Sequence, residues 1–384
     1  MNIILFDGAL RNHLLPFTYT RPVSEIRVGI QTITEKWKCH FEGDFSFETE
    51  DYLSVKFPKK ELQQNVWING ALCPNANLVR AIKGLDLGEK LEKDGVLLAA
   101  NLLKGANIEE AQVVLFTDEA RLIDRPWKIF SENGAELELD FDEITRGRKS
   151  QLLSETNTVL GDRIFVEEGV DAECSVFNSK TGAIYLGKNS TVLEGCTIRG
   201  GFSLGEHSAL KMGAKIYGPT TVGPHSKVGG EVNNCVIFGY SNKGHDGFLG
   251  NAVIGEWCNL GADTNNSNLK NNYDEVRLWS FEKQGFEKTG LQFCGLMMGD
   301  HSKCGINTMF NTGTVVGVSS NIFGSGFPRN FIPSFSWGGA AGFTEYKLEK
   351  ALATAKLVME RRGIDLDEVE SNILNQVYAE SRKR

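Results

Sequence analysis

Residues Leu186 to Val228 read LGKNSTVLEGCTIRGGFSLGEHSALKMGAKIYGPTTVGPHSKV, and an aliphatic residue returns there at every sixth place: Leu186, Val192, Ile198, Leu204, Leu210, Ile216, Val222 and Val228. Four places after each stand Ser190, Cys196, Phe202, Ser208, Ala214, Thr220, Ser226 and Val232, mostly small or β-branched. Gly187, Gly205, Gly223 and Gly229 each follow an aliphatic residue directly. A period of six fits neither the 3.6-residue turn of an α-helix nor the two-residue alternation of a free strand. It fits short strands joined by tight corners, coiling into a prism with the aliphatic positions inward and the coils stacked about 4.8 Å apart.

Working outward, the register resumes at Ile254 and Leu260, each followed by glycine, and again at Met298, Cys304, Phe310, Val316 and Ile322. Ser302, Thr308, Thr314 and Ser320 hold the small place there. A glycine-rich β-sandwich is the alternative, but eight consecutive hits with correlated small residues argue against it. Upstream the repeat begins loosely at Leu160, with Val170 and Val176 already one step apart. Two polar stretches break it, Glu231 to Gly250 and about residues 265 to 292, and insertions into a repeat tend to gather on its binding face. Past Ile322 the repeat dissolves into Gly324-Ser325-Gly326-Phe327-Pro328 and an aromatic run, Phe331 to Trp337. Leu348, Leu352, Ala355 and Met359 predict a helix that Gly363 stops. Asp365 with Glu368 predicts a capping box for a final helix carrying Val369, Ile373 and Val377. Both helices are expected as a lid on the open end of the solenoid.

The chain of 384 residues is long enough for two or three domains, and 42 glycines against 9 prolines suit a turn-dense β-solenoid. A net charge of -8 argues against general nucleic-acid binding, which needs a basic surface. The eight cysteines contain no CxxC pair, so neither zinc nor a disulfide framework is indicated. Asn2 to Phe6 runs from the start straight into Asp7-Gly8 without a basic leader, and no apolar run reaches membrane length. The expectation is a soluble, cytoplasmic protein that binds neither membrane nor nucleic acid.

Asn2 to Phe6 predicts a buried strand, and the polar loop after it opens at the strand's carboxyl end, where open α/β sheets bind ligands. The loop contains Leu14-Leu15-Pro16-Phe17-Thr18-Tyr19-Thr20-Arg21-Pro22, which resembles the opening motif of sugar nucleotidyltransferases. In that family a glycine-rich turn with Thr-Arg cradles a nucleoside triphosphate. Here Gly8 is the turn's single glycine, and Val23 follows Pro22 where the family places a phosphate-binding lysine. Arg11, Arg21 and Arg27 are the candidate phosphate ligands, since guanidinium groups bind phosphate in a bidentate fork. A second buried strand, Asn65 to Leu72, ends where the family carries metal-binding carboxylates, and here that turn holds Asn69. The metal ligands stay unassigned.

The solenoid is similar to the left-handed β-helix acyltransferases. Gly244-His245-Asp246-Gly247-Phe248-Leu249-Gly250 resembles a segment of bacterial glucosamine-1-phosphate N-acetyltransferases in which the histidine is general base, with Phe248 in place of tyrosine. Gly261-Ala262-Asp263-Thr264 and Asn268 resemble the segment whose asparagine orients the amine. The resemblance therefore assigns His245 as base and Asn268 as its partner. Glu231-Val232-Asn233-Asn234 lacks the family's phosphate-binding lysine, so either Lys243, Lys270, Lys215, Lys211 or Lys227 compensates or the substrate is not a sugar 1-phosphate. His301 is the alternative base. Such a base suits neutral pH, and corner amides suit the oxyanion.

The order of parts resembles the bifunctional N-acetylglucosamine-1-phosphate uridyltransferase and glucosamine-1-phosphate N-acetyltransferase family, in the variant of Bacteroidetes-like bacteria with a shortened first domain. The resemblance implies an α/β domain over residues 1–150, a left-handed parallel β-helix over 151–340 and a helical cap over 341–384. It implies acetyl-CoA as acyl donor, Mg2+ with the nucleoside triphosphate, a sugar phosphate as acceptor, and a homotrimer. Two other readings are a nucleotidyltransferase whose β-helix only oligomerises it, and a non-catalytic sugar-nucleotide sensor.

Overall fold

The computed structural model describes residues 1–382. The chain falls into two compact units: Met1–Leu14, Thr20–Ile26 and Gln31–Arg125 form one, and Leu15–Tyr19, Arg27–Ile30 and everything from Pro126 on form the other.

The first unit is α/β. Its strands are β1 (Asn2–Phe6), β2 (Asp44–Glu48), β3 (Gln64–Asn69), β4 (Leu72–Cys73), β5 (Glu89–Lys93), β6 (Val96–Leu103), β7 (Gln112–Leu115) and β8 (Arg121–Leu122). The main sheet has the order β2-β1-β3-β6-β5-β7, with β1 parallel to β2 and β3, and β6 antiparallel to β3 and β5. Ile3, Ile4 and Leu5 are fully buried, as a strand covered on both faces requires. Helix α1 (Ile33–Lys38) is entered through a capping box, Thr32 accepting from the Glu35 amide at 3.2 Å and Glu35 from the Thr32 amide at 2.6 Å. Helix α2 (Ala76–Lys83) starts at Asn75, whose Oδ1 accepts from the Leu78 amide at 2.9 Å.

The second unit is the expected parallel β-helix, a prism of three sheets. Face A runs in coil order from Ile164–Val166 to Phe331–Ile332, and face B from Asp171–Ala172 to Ser336–Gly339. Face C runs from Thr158–Leu160 to Phe248–Gly250 and is continued by Asn265–Asn266 and Met309–Phe310. The hexad residues form one inward column per face, such as Leu186, Leu204 and Val222 in register on face A. All eight aliphatic residues of the quoted run are at most 2 % exposed. Burying each contributes roughly 1.5–3 kcal/mol.

The small positions have a polar reason as well as a steric one. At the A/B corner the Ser208 hydroxyl donates to the Gly223 carbonyl at 2.8 Å and accepts from the Ser226 amide at 2.9 Å. Ser241 does the same with Gly255 and Cys258, and Ser302 with Gly317 and Ser320. At these three corners one hydroxyl ties a coil to the next, and at Cys258 a thiol donates to the Gly299 carbonyl instead. The residue beside it is left-handed, and His207, His225, Tyr240, Trp257 and His301 take that place with φ between 52° and 60°. Their rings stack in turn at 5.0, 4.8, 4.3 and 6.2 Å between centroids. His301 is the last ring of this ladder, packed against the neighbouring coil.

Helices α3 (Pro126–Ser131) and α4 (Asn133–Thr145) pack on the outside of face A, where Leu137 and Phe141 cluster with Phe165 and Ala183. On face C, by contrast, Arg199, Lys215, Tyr217 and Met309 are exposed. Helices α5 (Leu348–Glu360) and α6 (Glu368–Ser381) follow the last coil.

Three local expectations are corrected. Glu231 to Gly250 is not a loop that leaves the repeat: Val232, Ile237 and Leu249 point inward in full register with their neighbours. The hexad count was lost because the coil is shortened at two corners, Val228 to Val232 spanning four places and Val232 to Ile237 five. The final helix is capped by Asp367, not Asp365, with its Oδ1 accepting from the Glu370 amide at 2.8 Å. Ile364 donates back to the Met359 carbonyl at 3.2 Å, and this turn carries the chain past Asp365 before it can start a helix. Finally, α5 is not only an end lid: Arg362 donates to Asn242 Oδ1 on face B at 3.1 Å. The second interruption does leave the prism, as a hairpin of Arg277–Ser280 with Gly285–Lys288.

Candidate functional site

In the first unit the carboxyl ends of β1 and β3 lie side by side, Phe6 in register with Asn69. The groups gathered there are spent on the fold. Asp7, 4 % exposed, accepts from the Val23 amide at 2.7 Å and from the Thr49 hydroxyl at 2.6 Å. Burial pushes its carboxyl up to about 6. Arg11, also buried, donates to the Tyr52 hydroxyl at 2.6 Å and pairs with Glu50 at 3.2 Å. Asn69 donates to the Leu97 carbonyl at 3.0 Å and accepts from the Ala71 amide at 3.0 Å, so its amide shapes the turn into β4. Arg21 is buried, and burial raises the neighbouring Glu25 carboxyl against the pull of that guanidinium. Gly8 has φ +56° and is exposed, a left-handed turn conformation that favours glycine. Arg27 belongs to the second unit, where it donates to the Ile30 carbonyl. Among the described residues no group of three or more His, Cys, Asp or Glu is placed to hold a metal ion. The residues at this edge do not by themselves fit magnesium, which demands several free oxygen ligands.

In the second unit His245 stands at the B/C corner. Other long corners carry Glu194, Met212, Ala262 and Ile306 at the same tip position, with Met212 and Ile306 both 69 % exposed. Between Met212 and His245 the intervening corner is the short one, Gly229-Gly230. A Cβ there would meet the Gly244 carbonyl at 2.9 Å or the Asp246 Cα at 2.8 Å, so only glycine permits this approach. The missing residues leave a notch of about 280 Å³ lined by Lys211, Met212, Gly229, Gly230 and His245.

His245, Gly244 and Lys211 also line a second, larger cavity of about 770 Å³ between face B and α5. Its wall carries Lys227, Lys303, Arg361 and Arg362, with Tyr240, Ile306 and Val358 supplying the apolar part. Lys211, Lys227 and Arg361 form no ion pair among the described residues. Lys303 donates to the His301 carbonyl at 2.8 Å, and burial pushes its ammonium down to about 8. Such a cavity has the size of a small-ligand site and the charge to hold an anion.

The remaining candidates scatter. Asn268 lies beyond the far edge of face C, donating to Asn251 Oδ1 at 2.8 Å, and lines neither cavity. Phe248 is nearer to it: the Phe248 ring and the Asn268 amide converge over Gly250, where a Cβ would meet them at 2.5 and 2.8 Å. Lys215 is exposed on face C, in register with Glu231. Lys270 donates to the Glu275 carbonyl at 2.7 Å within its own loop. Lys243, read as a phosphate ligand, is 2 % exposed and holds an inward position in register with Val228. Sequence reasoning missed Arg361 and Arg362. Their only signal was a basic pair at the end of a helix, and nothing in the chain says which surface that helix covers.

No helix among the described residues is long and apolar enough to cross a membrane. A search of curated proteins by sequence returned no match. Among solved structures the chain is similar to an Arabidopsis UDP-N-acetylglucosamine acyltransferase, at 16 % identity over 55 % of this chain and 80 % of that one, with a TM-score of 0.27. It is similar to the polySia-specific acetyltransferase NeuO at 15 % identity, over 55 % of this chain and 99 % of that one, TM-score 0.29. A Campylobacter jejuni UDP-N-acetylglucosamine acyltransferase aligns at 17 % identity over 60 % of this chain and 81 % of that one, TM-score 0.22. Residues 3–149, spanning the α/β unit, match the family model described as sugar nucleotidyl transferase.

Proposed function

We propose that the solenoid is an acetyl-CoA-dependent N-acetyltransferase acting on an aminosugar phosphate. The observation that carries this reading is the wall of Lys211, Gly244 and His245 shared by two cavities, one large and cationic, the other small. The phosphates of the acyl donor suit Lys211, Lys227, Lys303, Arg361 and Arg362, and its pantetheine arm suits Ile306 and Val358. The acceptor amine enters the notch. His245 takes a proton from the acceptor ammonium, the amine attacks the thioester carbon, and the thiol of coenzyme A leaves.

Asn268 holds the acceptor amine in this reading, and one chain alone does not place it beside His245. A threefold assembly burying face C brings the B/C corner of one copy to the C/A corner of the next. Exposed Met212, Ile306 and Met309 need such cover. A monomer by light scattering at micromolar concentration would rule the assembly out. The decisive assay is free-thiol release from acetyl-CoA with a panel of aminosugar phosphates. Silence across the panel eliminates acetyl transfer.

The match of residues 3–149 favours a second activity, nucleotidyl transfer to a sugar 1-phosphate. Gly8 and the buried Arg21 would meet the triphosphate, and magnesium would arrive with it, carried on phosphate oxygens. Pyrophosphate release from UTP with an N-acetylated sugar 1-phosphate tests this, and Arg21→Ala should abolish it.

A further inference from the structure

The inward column of face B reads Val192, Leu210, Val228, Lys243, Leu260 and Cys304. A lysine in an aliphatic column needs a reason, because leaving an ammonium buried without partners costs several kcal/mol. Its surroundings supply one. Nζ donates to the Gly229 carbonyl at 3.1 Å, to the Asp246 carbonyl at 3.1 Å, and to the His245 carbonyl. The B/C corners carry a small residue directly before the face C strand, namely Cys196, Ala214, Gly230, Gly247, Thr264 and Thr308. The corner Gly229-Gly230 keeps Gly230 at that place and lacks the two tip residues that Met212 and Gly213 supply in the coil before it. The lysine of the next coil lies inward beside this short, side-chain-free corner and satisfies the Gly229 carbonyl with its head.

The shortened corner and the lysine are therefore one device. The deletion opens the notch above His245, and the ammonium ties the short corner to the two residues that present the imidazole. We propose that Lys243 is a positioning residue: it clamps the Gly229, His245 and Asp246 carbonyls and so fixes the direction in which His245 faces the notch. It does not touch substrate. The kinetic part of this proposal rests on the acetyl-transfer reading; the structural part stands without it.

Burial pushes the Lys243 ammonium down to about 8, against the opposing pull of Asp246, Cys304, Asp263 and Cys235, the groups that face it. The clamp is thus titratable. The test replaces the head and keeps the stem, Lys243→Met, which suits the aliphatic column. Exchange of the Asp263 and Glu231 amides, which donate to the Asp246 and Gly247 carbonyls, should quicken about tenfold or more, while that of Asn307, which donates to the Ala262 carbonyl one coil further on, stays as in the wild type. Acetyl transfer should lose about tenfold in kcat with KM for both substrates within about twofold, the mark of a misaimed group and not of a lost contact. Unchanged exchange in the variant overturns the clamp, whatever the kinetics. Altered exchange in a protein that acetylates nothing, wild type included, overturns the functional reading and leaves the clamp.

If Lys243→Met does not fold, the wild-type protein decides. The amide resonances of Gly230, Asp246 and Gly247, each bonded to a clamped carbonyl, should titrate together with one midpoint near about 8. Separate midpoints, or no step in these amides up to pH about 11, past the range of an ordinary lysine, overturn the proposal.

Discussion

The two polar edges of this protein use their charges in opposite ways. At the carboxyl ends of β1 and β3, Arg11 is paired with Glu50 and hydrogen-bonded to Tyr52, Asn69 is bonded to two backbone groups, and both oxygens of Asp7 are taken. At the B/C corner of the solenoid, Lys211, Lys227 and Arg361 line a cavity with no ion pair among the described residues, and His245 is exposed beside them. A polar group that the fold consumes contributes to stability. One that the fold holds open, at the cost of cationic repulsion, is available for a ligand. The difference ranks the solenoid above the α/β edge as a place with charges free to hold a ligand.

The sharpest attempt to break that ranking is His245→Ala. Acetyl transfer should fall at least about a hundredfold, the usual loss of a general base, with melting temperature and oligomeric state unchanged. Near-normal thiol release from a well-folded variant would remove His245 from the mechanism.

Next in size is the pH response of the α/β unit. Asp7 has a folded value raised from 3.8 to about 6 by burial, so the native state holds its proton more tightly than the unfolded chain does. Its contribution is fully present below pH about 4 and is lost as pH rises through about 6. At about 1.4 kcal/mol per unit this amounts to roughly 2–3 kcal/mol. Asp7→Asn should flatten the fall in melting temperature across that window. A wild-type curve that rises there would show that the carboxylate is paired, not merely buried.

Arg361→Ala probes the open cations. Loss of one charge-assisted contact should raise the KM for acetyl-CoA about tenfold with kcat unchanged, and reduce the salt dependence of binding. Equal affinity in both proteins would move the donor to another surface. The smallest effect belongs to a group the fold has consumed: Ser208→Ala removes the hydroxyl bridging Gly223 and Ser226 and should cost about 1 kcal/mol, read as a melting shift of a few degrees, with kinetics untouched.

The period of six, written between Leu186 and Val228, determined the solenoid by itself. The reason is that one inward aliphatic residue per corner is a local requirement, repeated identically, and needs no knowledge of distant residues. The strand Asn2–Phe6, the stop at Gly363 and the corner glycines were legible for the same reason. What the sequence could not show is every property that depends on which coil lies above which. Lys243 reads as a charged loop residue until the register places it in the column of Val228. The break after Val228 reads as an insertion until Gly229-Gly230 is seen to be a deletion, packed against Gly244 and Asp246. Arg11 and Asn69 read as ligands until Glu50, Tyr52 and the β3–β4 turn claim them. The cavity itself is built from face B and α5, about a hundred residues apart in the chain. Hexad spacing is set by neighbours along the backbone, whereas the availability of a side chain is set by competition among groups that only the tertiary fold brings together.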